Sequence, residues 1–369
     1  MIPIADTVFN VNKTDYTGTK SLFLGQPNGL FDSINKSHPD IWKLYKVMRA
    51  QDWDENEFPY ADCALEFKTC SRSVYEMMIK TLASQWEADS LAAHNLIPII
   101  APFVSSSELW ALYCQIGNNE VLHSLAYSEI VRNSFENPDA VMTEILEESE
   151  ALRRIHVVAN AMAEVKAVGL QLQTGEIDRD DYRARDAIML FVYTLLGLER
   201  IQFMASFGVT FAIAESGMFL PIGQAVKKIC ADELNVHVEA SKAIITNELQ
   251  TPEGQASFLR IKPRVQEIYD EITRSELRWC RYMFSEGREL VGMNLELLEN
   301  WSLFNANDVY HFTGIENPFK VVKKNPIPFI NDWIDLNNHQ ASPQEEKTSN
   351  YLLGGLINDA GDKVFDVDF

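Results

Sequence analysis

The sequence predicts an all-α protein built as a bundle of long helices, and three observations carry that prediction. From about residue 38 onward, apolar residues recur at helical spacing over long stretches. Strand-like alternation closed by hairpin turns is hard to find. The periodic stretches are separated by short breaker clusters such as "QTGEIDRDD", "QTPEGQ" and "SEGRE". With 369 residues, 46% of them hydrophobic and 23% charged, the chain has material for a sizeable core and is too apolar to be disordered.

Residues 1–36 are mixed and Gly-containing and read as an irregular N-terminal arm. A first long helix is expected over roughly 66–92, ending ahead of the prolines of "NLIPIIAPF". The next opens with Ser105 and Glu108 in capping-box spacing and ends near "FENPD". Further helices are expected at about 140–172, 182–216, 221–248, 253–286 and 290–312. Several exceed the usual length of globular helices, which suits antiparallel rods in a helical domain over 37–325. After "NPFKVVKKNPIPFINDW" the character changes. Residues 326–369 form a C-terminal segment ending in a polar, acidic stretch with isolated apolar anchors, expected to be a flexible tail that docks on a partner.

A formal charge of -21 repels nucleic-acid phosphates and anionic lipid surfaces, so neither nucleic acid nor a membrane is expected as a partner. The five cysteines are odd in number, scattered and without a C-x-x-C pair, which reads as reduced thiols in a cytoplasmic protein. The N-terminal "MIPIADTVFNVNKTDYTG" lacks the pattern of a signal peptide, and the most continuous apolar run, "LIPIIAPFV", is too short to span a bilayer.

The chemistry begins in "NNEVLHSLAYSEI". At about 100° per residue, Glu120 and His123 lie one turn apart on one stripe, and Tyr127 falls two turns beyond Glu120 on the same face. Alone, a Glu three residues before a His is common on solvated helix surfaces. The pattern returns in "CADELNVHVEA", which carries Glu233 and His237. Each Glu/His pair follows, by about one helix, an acid on an apolar helix: Asp89 in "WEADSLAA" and Glu199 in "LLGLERIQF". Two divalent metals inside a four-helix bundle require this kind of set, several anionic oxygens and two imidazoles drawn from four helices in the ferritin-like manner. Burying so many acids without cations would be very costly. Two bland readings stand beside this one. Arg200 or Arg153 would make Glu199 a structural ion pair, and Glu87 is an alternative to Asp89.

At this point the residues resemble the radical-generating small subunit of class I ribonucleotide reductase, over nearly the whole chain from about residue 40. The resemblance implies Asp89, Glu120 and His123 as ligands of one metal and Glu199, Glu233 and His237 as ligands of the other. It implies Tyr127 as the radical tyrosine and Trp53, 36 residues before Asp89, as the electron donor in activation and a step on the radical route. Asp232 matches the carboxylate that couples that tryptophan to the metal-bound histidine. The tail "SPQEEKTSNYLLGG" looks like the family's C-terminal segment, with Tyr351 as the mobile radical-transfer tyrosine and Glu345 as an acid tied to subunit coupling. Phe203, Phe207, Val226 and Ile229 fit the apolar walls around the radical, although by periodicity they are simply core. One departure is plain: "ELNVH" has three residues between Glu233 and His237 where the family normally has two, and a one-residue π-bulge would restore the alignment.

The implied cofactors are two metal ions, iron in the first instance, with manganese or a mixed manganese/iron pair accepted by the same ligands. The implied partners are molecular oxygen, a second copy of the chain in a homodimer, and a large subunit on which ribonucleotides are reduced. The competing readings are a di-iron oxygenase or oxidase on the same scaffold, a ferritin-like storage protein, and a helical interaction module with structural acids. Tyr351 read blandly is a hydrophobic anchor of the tail, and Trp53 one of seven structural tryptophans.

Overall fold

A computed structural model describes residues 21–26, 31, 34 and 36–334. The chain divides into two units, Met1–Ile334 and Asp335–Phe369, and every described residue belongs to the first. The expected tail residues Glu345 and Tyr351, and most of the N-terminal arm, lie outside the described residues.

The elements follow in order: α1 (Pro39–Ala50), a 3₁₀ turn (Tyr60–Asp62), α2 (Cys63–Thr69), α3 (Arg72–Ile100), α4 (Ser107–Ser134), α5 (Pro138–Leu146) and α6 (Ser149–Thr174). A long rod then runs as α7 (Tyr182–Gly197), a π turn (Leu198–Gln202) and α8 (Met204–Glu215). A second interrupted rod comprises α9 (Leu220–Asp232), a π turn (Glu233–His237) and α10 (Val238–Glu248). The described chain closes with α11 (Pro252–Met283), α12 (Leu295–Thr313) and the short α13 (Ile330–Ile334). Among the described residues there is no strand, only two isolated bridges, Phe23–Val104 and Leu290–Met293. The architecture is the expected all-α, ferritin-like bundle.

Four rods frame its centre. Helix α3 packs along α4 and α6, α8 lies against α3 and α9, and the two π turns touch each other. The rod Tyr182–Glu215 is long and apolar enough to cross a membrane, but its most apolar window is 94% buried inside the bundle. It is a core helix, apolar on all sides because it has neighbours on all sides. At Gly197 an added Cβ would meet Ile272 at 2.8 Å, so the missing side chain lets α11 approach this rod at the turn before Glu199. Phe219 opens α9 with a φ of 54°, and that strained backbone is held by a hydrogen bond from its amide to Glu66 (2.8 Å) and by packing on Phe67.

Several boundaries differ from the expected ones, each for a local reason. The helix expected over 66–92 is two helices, because Ser71 adopts an extended backbone and caps α3 by accepting from Val74. That helix then continues through Pro98 to Ile100. A proline in the last turn forfeits one backbone bond, and burial of Leu96, Ile99 and Ile100 carries the helix past it. Helix α4 is capped by Ser106, not Ser105, with its hydroxyl accepting from Leu109. Glu108 turns instead to the amides of Ser37 (2.8 Å) and His38, tying the start of α1 to α4. The stretch expected at 140–172 is broken between Leu146 and Ser149.

Candidate metal centre

Asp89 lies on α3, Glu120 and His123 lie one turn apart on α4, Glu199 is in the first π turn, and Glu233 and His237 end the second. All six side chains converge and all are buried: Asp89, Glu120, His123 and Glu233 are 0% exposed, Glu199 2% and His237 3%. They form two overlapping groups, Asp89–Glu120–His123–Glu233 and Glu120–Glu199–Glu233–His237. Within each group one ligand atom per residue lies within 4.8 Å of the others. Glu120 and Glu233 belong to both, so these two carboxylates stand between two adjacent cation positions.

The π turn explains the unusual spacing. It takes about one more residue per turn than an α turn, so the four-residue step of "ELNVH" brings its ends together much as the three-residue step of "EVLH" does. His237 Nδ1 stands 2.6 Å from Glu233 Oε2 and 3.3 Å from Glu120 Oε1. On the other side His123 Nδ1 is 3.1 Å from Glu233 Oε1 and 3.9 Å from Asp89 Oδ2.

The electrostatics are those of a site built for positive charge. Burial pushes the Asp89, Glu120 and Glu199 carboxyls up, and neighbouring carboxylates add to it, Glu120 for Asp89 and Glu233 for the other two. Glu233 goes the other way. Burial opposes its charge too, but the His237 and His123 imidazoles overcome that and hold it below the usual carboxylate range. Burial works against a charged imidazole at His237, yet Glu233 outweighs it and pushes the group up to about 10. His123 is raised, against the same burial, by Asp232 and Glu233.

Both oxygens of Asp89, Oε2 of Glu120 and Oε2 of Glu199 are buried without a hydrogen-bond partner, and Glu120 Oε1 and both Glu233 oxygens face the two imidazoles. Native interiors rarely leave such atoms unsatisfied, and here the orphaned atoms all turn inward to one place. Carboxylate oxygen and imidazole nitrogen are the donors that iron and manganese accept, so the residues present fit a pair of such ions. No arginine neutralises the cluster at Glu199: Arg200 binds Asp308 (3.1 Å) and Asn305, while Arg153 binds Glu150 (2.7 Å). Glu87, the alternative to Asp89, is half-buried outside both groups.

Around the carboxylates lies a hydrogen-bonded surround. Trp53 Nε1 donates to Asp232 Oδ2 (2.8 Å), and the same oxygen is 3.1 Å from His123 Nε2. The Trp53 and His123 rings stack with centroids 6.2 Å apart. Asn119, which sequence reasoning passed over, donates to Asp232 Oδ2 (3.0 Å) and reaches His237 Nε2 through Oδ1 (3.1 Å). Its signal was present in the sequence: Asn119 is one turn before His123, on the stripe that carries the ligands.

Tyr127 is fully buried and its hydroxyl has no hydrogen-bond partner. Burial first, and the Asp89 carboxylate next, push that hydroxyl well above the ordinary phenol range. Phe203, Phe207, Val226 and Ile229 are all buried core side chains.

Comparison with known proteins points the same way. The profile of the family described as "Ribonucleotide reductase, small chain" matches residues 31–326. The ribonucleoside-diphosphate reductase subunit beta of Buchnera aphidicola subsp. Acyrthosiphon pisum is 24% identical over 97% of this chain and 98% of its own. Among solved structures, the ribonucleotide reductase R2 subunit of Clostridium botulinum superposes with a TM-score of 0.73 at 17% identity, over 86% of this chain and 94% of that one. The dimanganese(II) NrdF of Streptococcus sanguinis superposes with a TM-score of 0.61 at 13% identity, over 83% and 100%. The chain therefore belongs to the small-chain family of ribonucleotide reductase, an oxidoreductase.

Proposed function

We propose that this small subunit generates and stores a tyrosyl radical at Tyr127 and passes its oxidising equivalent to the large subunit, where ribonucleotides are reduced to deoxyribonucleotides. The observation that carries the reading is the buried set of four carboxylates and two imidazoles, with no lysine or arginine among them, on whose α4 face the fully buried Tyr127 stands two turns beyond Glu120. Asp89, Glu120 and His123 would hold one metal and Glu199, Glu233 and His237 the other. When bound, two irons supply, with molecular oxygen, the oxidising power that removes one electron from Tyr127.

The chain's own residues do the rest. Tyr127 is held protonated by burial, so its oxidation must release a proton at Oη, and Asp89 is the carboxylate that acts most strongly on that hydroxyl. The apolar bundle keeps water and reductants from the resulting neutral radical. His123 is oriented by Asp232, whose oxygen also accepts from the Trp53 indole, which makes a continuous path for an electron from Trp53 towards the centre. In turnover the path runs outward through Asp232 and Trp53 to Tyr351 on the tail, with residues 37–325 as the metal-holding body and 326–369 as the docking segment. A homodimer is supported by the exposed stripe of α4, where Val121 and Leu125 are each 45% exposed behind the ligand face. Manganese is a second reading for the metal, favoured by the fold shared with the dimanganese(II) Streptococcus sanguinis protein and by a donor set that accepts either ion.

The test is to load metal-free protein with ferrous ion, admit oxygen and record electron paramagnetic resonance. Wild type should give a tyrosyl signal that Tyr127→Phe lacks. A wild type without the signal, or a mutant that keeps it, would sink the role assigned to Tyr127.

A further inference from the structure

Asn119 is 3% exposed and stands between Asp232 and the His237 ring. Its amide makes two contacts with opposite demands. One end meets Asp232 Oδ2 at 3.0 Å, and the other meets His237 Nε2 at 3.1 Å. Asp232 Oδ2 already accepts the Trp53 indole N–H, so it meets Asn119 as an acceptor and the end facing it must be the NH₂. The carbonyl oxygen is then the end that faces His237, and because it only accepts, His237 Nε2 must carry the hydrogen. Nδ1 is then the nitrogen of His237 that turns to Glu120 and Glu233, into the cluster, and the one that would give up its proton to a bound metal. His123 receives the same instruction from Asp232 itself, through Nε2 at 3.1 Å.

We propose that Asn119 is the positioning residue that fixes His237 as an Nδ1 metal ligand and joins it to the Asp232 network shared by His123 and Trp53. Asp232 Oδ2 is the hub. It receives the Trp53 indole and the Asn119 amide and faces the His123 imidazole, and Asn119 relays its polarity to the second histidine. The extra residue of "ELNVH" belongs to the same arrangement, since the π turn is what sets His237 between Glu233 at one nitrogen and Asn119 at the other. The inference rests on the metal-site reading above and makes a claim about one histidine within it.

The test uses the full chain loaded with cobalt(II), whose hyperfine shifts move the N–H proton of a bound imidazole away from the rest of the proton spectrum. Wild type should bind two cobalt ions and show two shifted, slowly exchanging imidazole N–H signals. Asn119→Leu, close in volume but unable to accept or donate, should leave the His123 signal in place. It should make the His237 signal exchange at least about tenfold faster and weaken one cobalt by about 10- to 100-fold, the usual effect of removing a hydrogen bond behind a metal ligand. Asn119→Asp restores an acceptor for His237 and, carrying a proton on the oxygen that faces Asp232, a donor to Asp232 as well, so it should recover the slow His237 signal, a rescue that a packing role would not produce. Asn119→Ala serves as the second variant if leucine folds poorly, with the same expectation. Two slow signals and two unchanged affinities in a folded leucine or alanine variant would overturn the role of Asn119 alone. A wild type that binds no cobalt, or shows no shifted imidazole signal, would overturn the metal-site reading and this inference with it.

Discussion

Two clusters of buried charge lie within this bundle, and they handle the same physical difficulty in opposite ways. In the first, Arg154 meets Glu276 through Nε (2.5 Å) and Nη2 (2.7 Å). The guanidinium also donates to Ser206 Oγ (2.7 Å), Ser84 Oγ and the carbonyl of Gln202. Every charge there has its counter-charge inside the protein. In the second, Asp89, Glu120, Glu199 and Glu233 converge with no lysine or arginine among them, and only the His123 and His237 imidazoles face them. Both clusters touch the same π turn, Glu199 at one end of it and Gln202 at the other. The difference teaches that burial of acids in this fold is not in itself a sign of a site. What marks the site is that four acids crowd together with no lysine or arginine among them, faced only by the two imidazoles of His123 and His237. Glu87 shows a third solution: half-buried and unpartnered, it is pushed up to about 7 by burial and then by Glu148, so below that pH it is buried as the neutral acid.

The comparison breaks most severely if Arg154 is removed. Arg154→Met leaves Glu276 as an orphaned buried carboxylate and should cost about 3–5 kcal/mol in denaturant unfolding. The number of metal ions bound per folded chain should not change, and a loss of metal would show that the two clusters are one. Metal itself is the next largest effect. Adding ferrous ion under anaerobic conditions at about 100 times its dissociation constant should stabilise the metal-free protein by about 3 kcal/mol. Glu199→Gln should abolish most of that gain while changing the stability of the metal-free protein by no more than about 1 kcal/mol, because burial and then Glu233 already press that carboxyl towards its neutral form, which glutamine matches in shape. A Glu199→Gln variant destabilised without metal would mean that Glu199 is a structural acid after all.

The smallest effect concerns Glu87. A carboxyl raised in the folded state favours folding below its unfolded value near 4.5, and that contribution is lost as pH rises through about 7. Glu87→Gln should therefore flatten the fall in stability between about pH 4.5 and 7, by about 1–3 kcal/mol after allowance for its partial exposure. Unfolding curves for wild type and variant at pH 5 and pH 8 decide it, and parallel slopes would refute the assignment of a proton to Glu87.

Much of this was legible in the sequence because helical periodicity is local. The long rods, the apolar character of Tyr182–Glu215 and the shared stripe of Glu120, His123 and Tyr127 all follow from spacing along one element. Boundaries were less legible, since Ser105 and Ser106 offer the same capping chemistry. The choice fell to Ser106 because the Ser105 hydroxyl is taken by the backbone of Gly25 and Ser21. Arg154 was missed for a related reason, since an Arg beside an Arg gives no local sign of which one meets Glu276. Asn119 did carry a sign, its place one turn before His123 on the ligand stripe.

The sequence by itself determined that the chain forms long amphipathic and fully apolar helices, that acids and histidines recur in two matched pairs, and that "ELNVH" departs from "EVLH" by one residue. These are properties of composition and spacing along single elements. Tertiary structure alone decided that Asp89 and not Glu87 joins the cluster, that Arg200 and Arg153 turn to other acids, and that Asn119 stands between Asp232 and His237. It also decided that the extra residue is absorbed as a π turn. The physical reason is that a side chain's role depends on what remains to satisfy it once water is gone. That depends on which helices pack together, and no one of them specifies it alone.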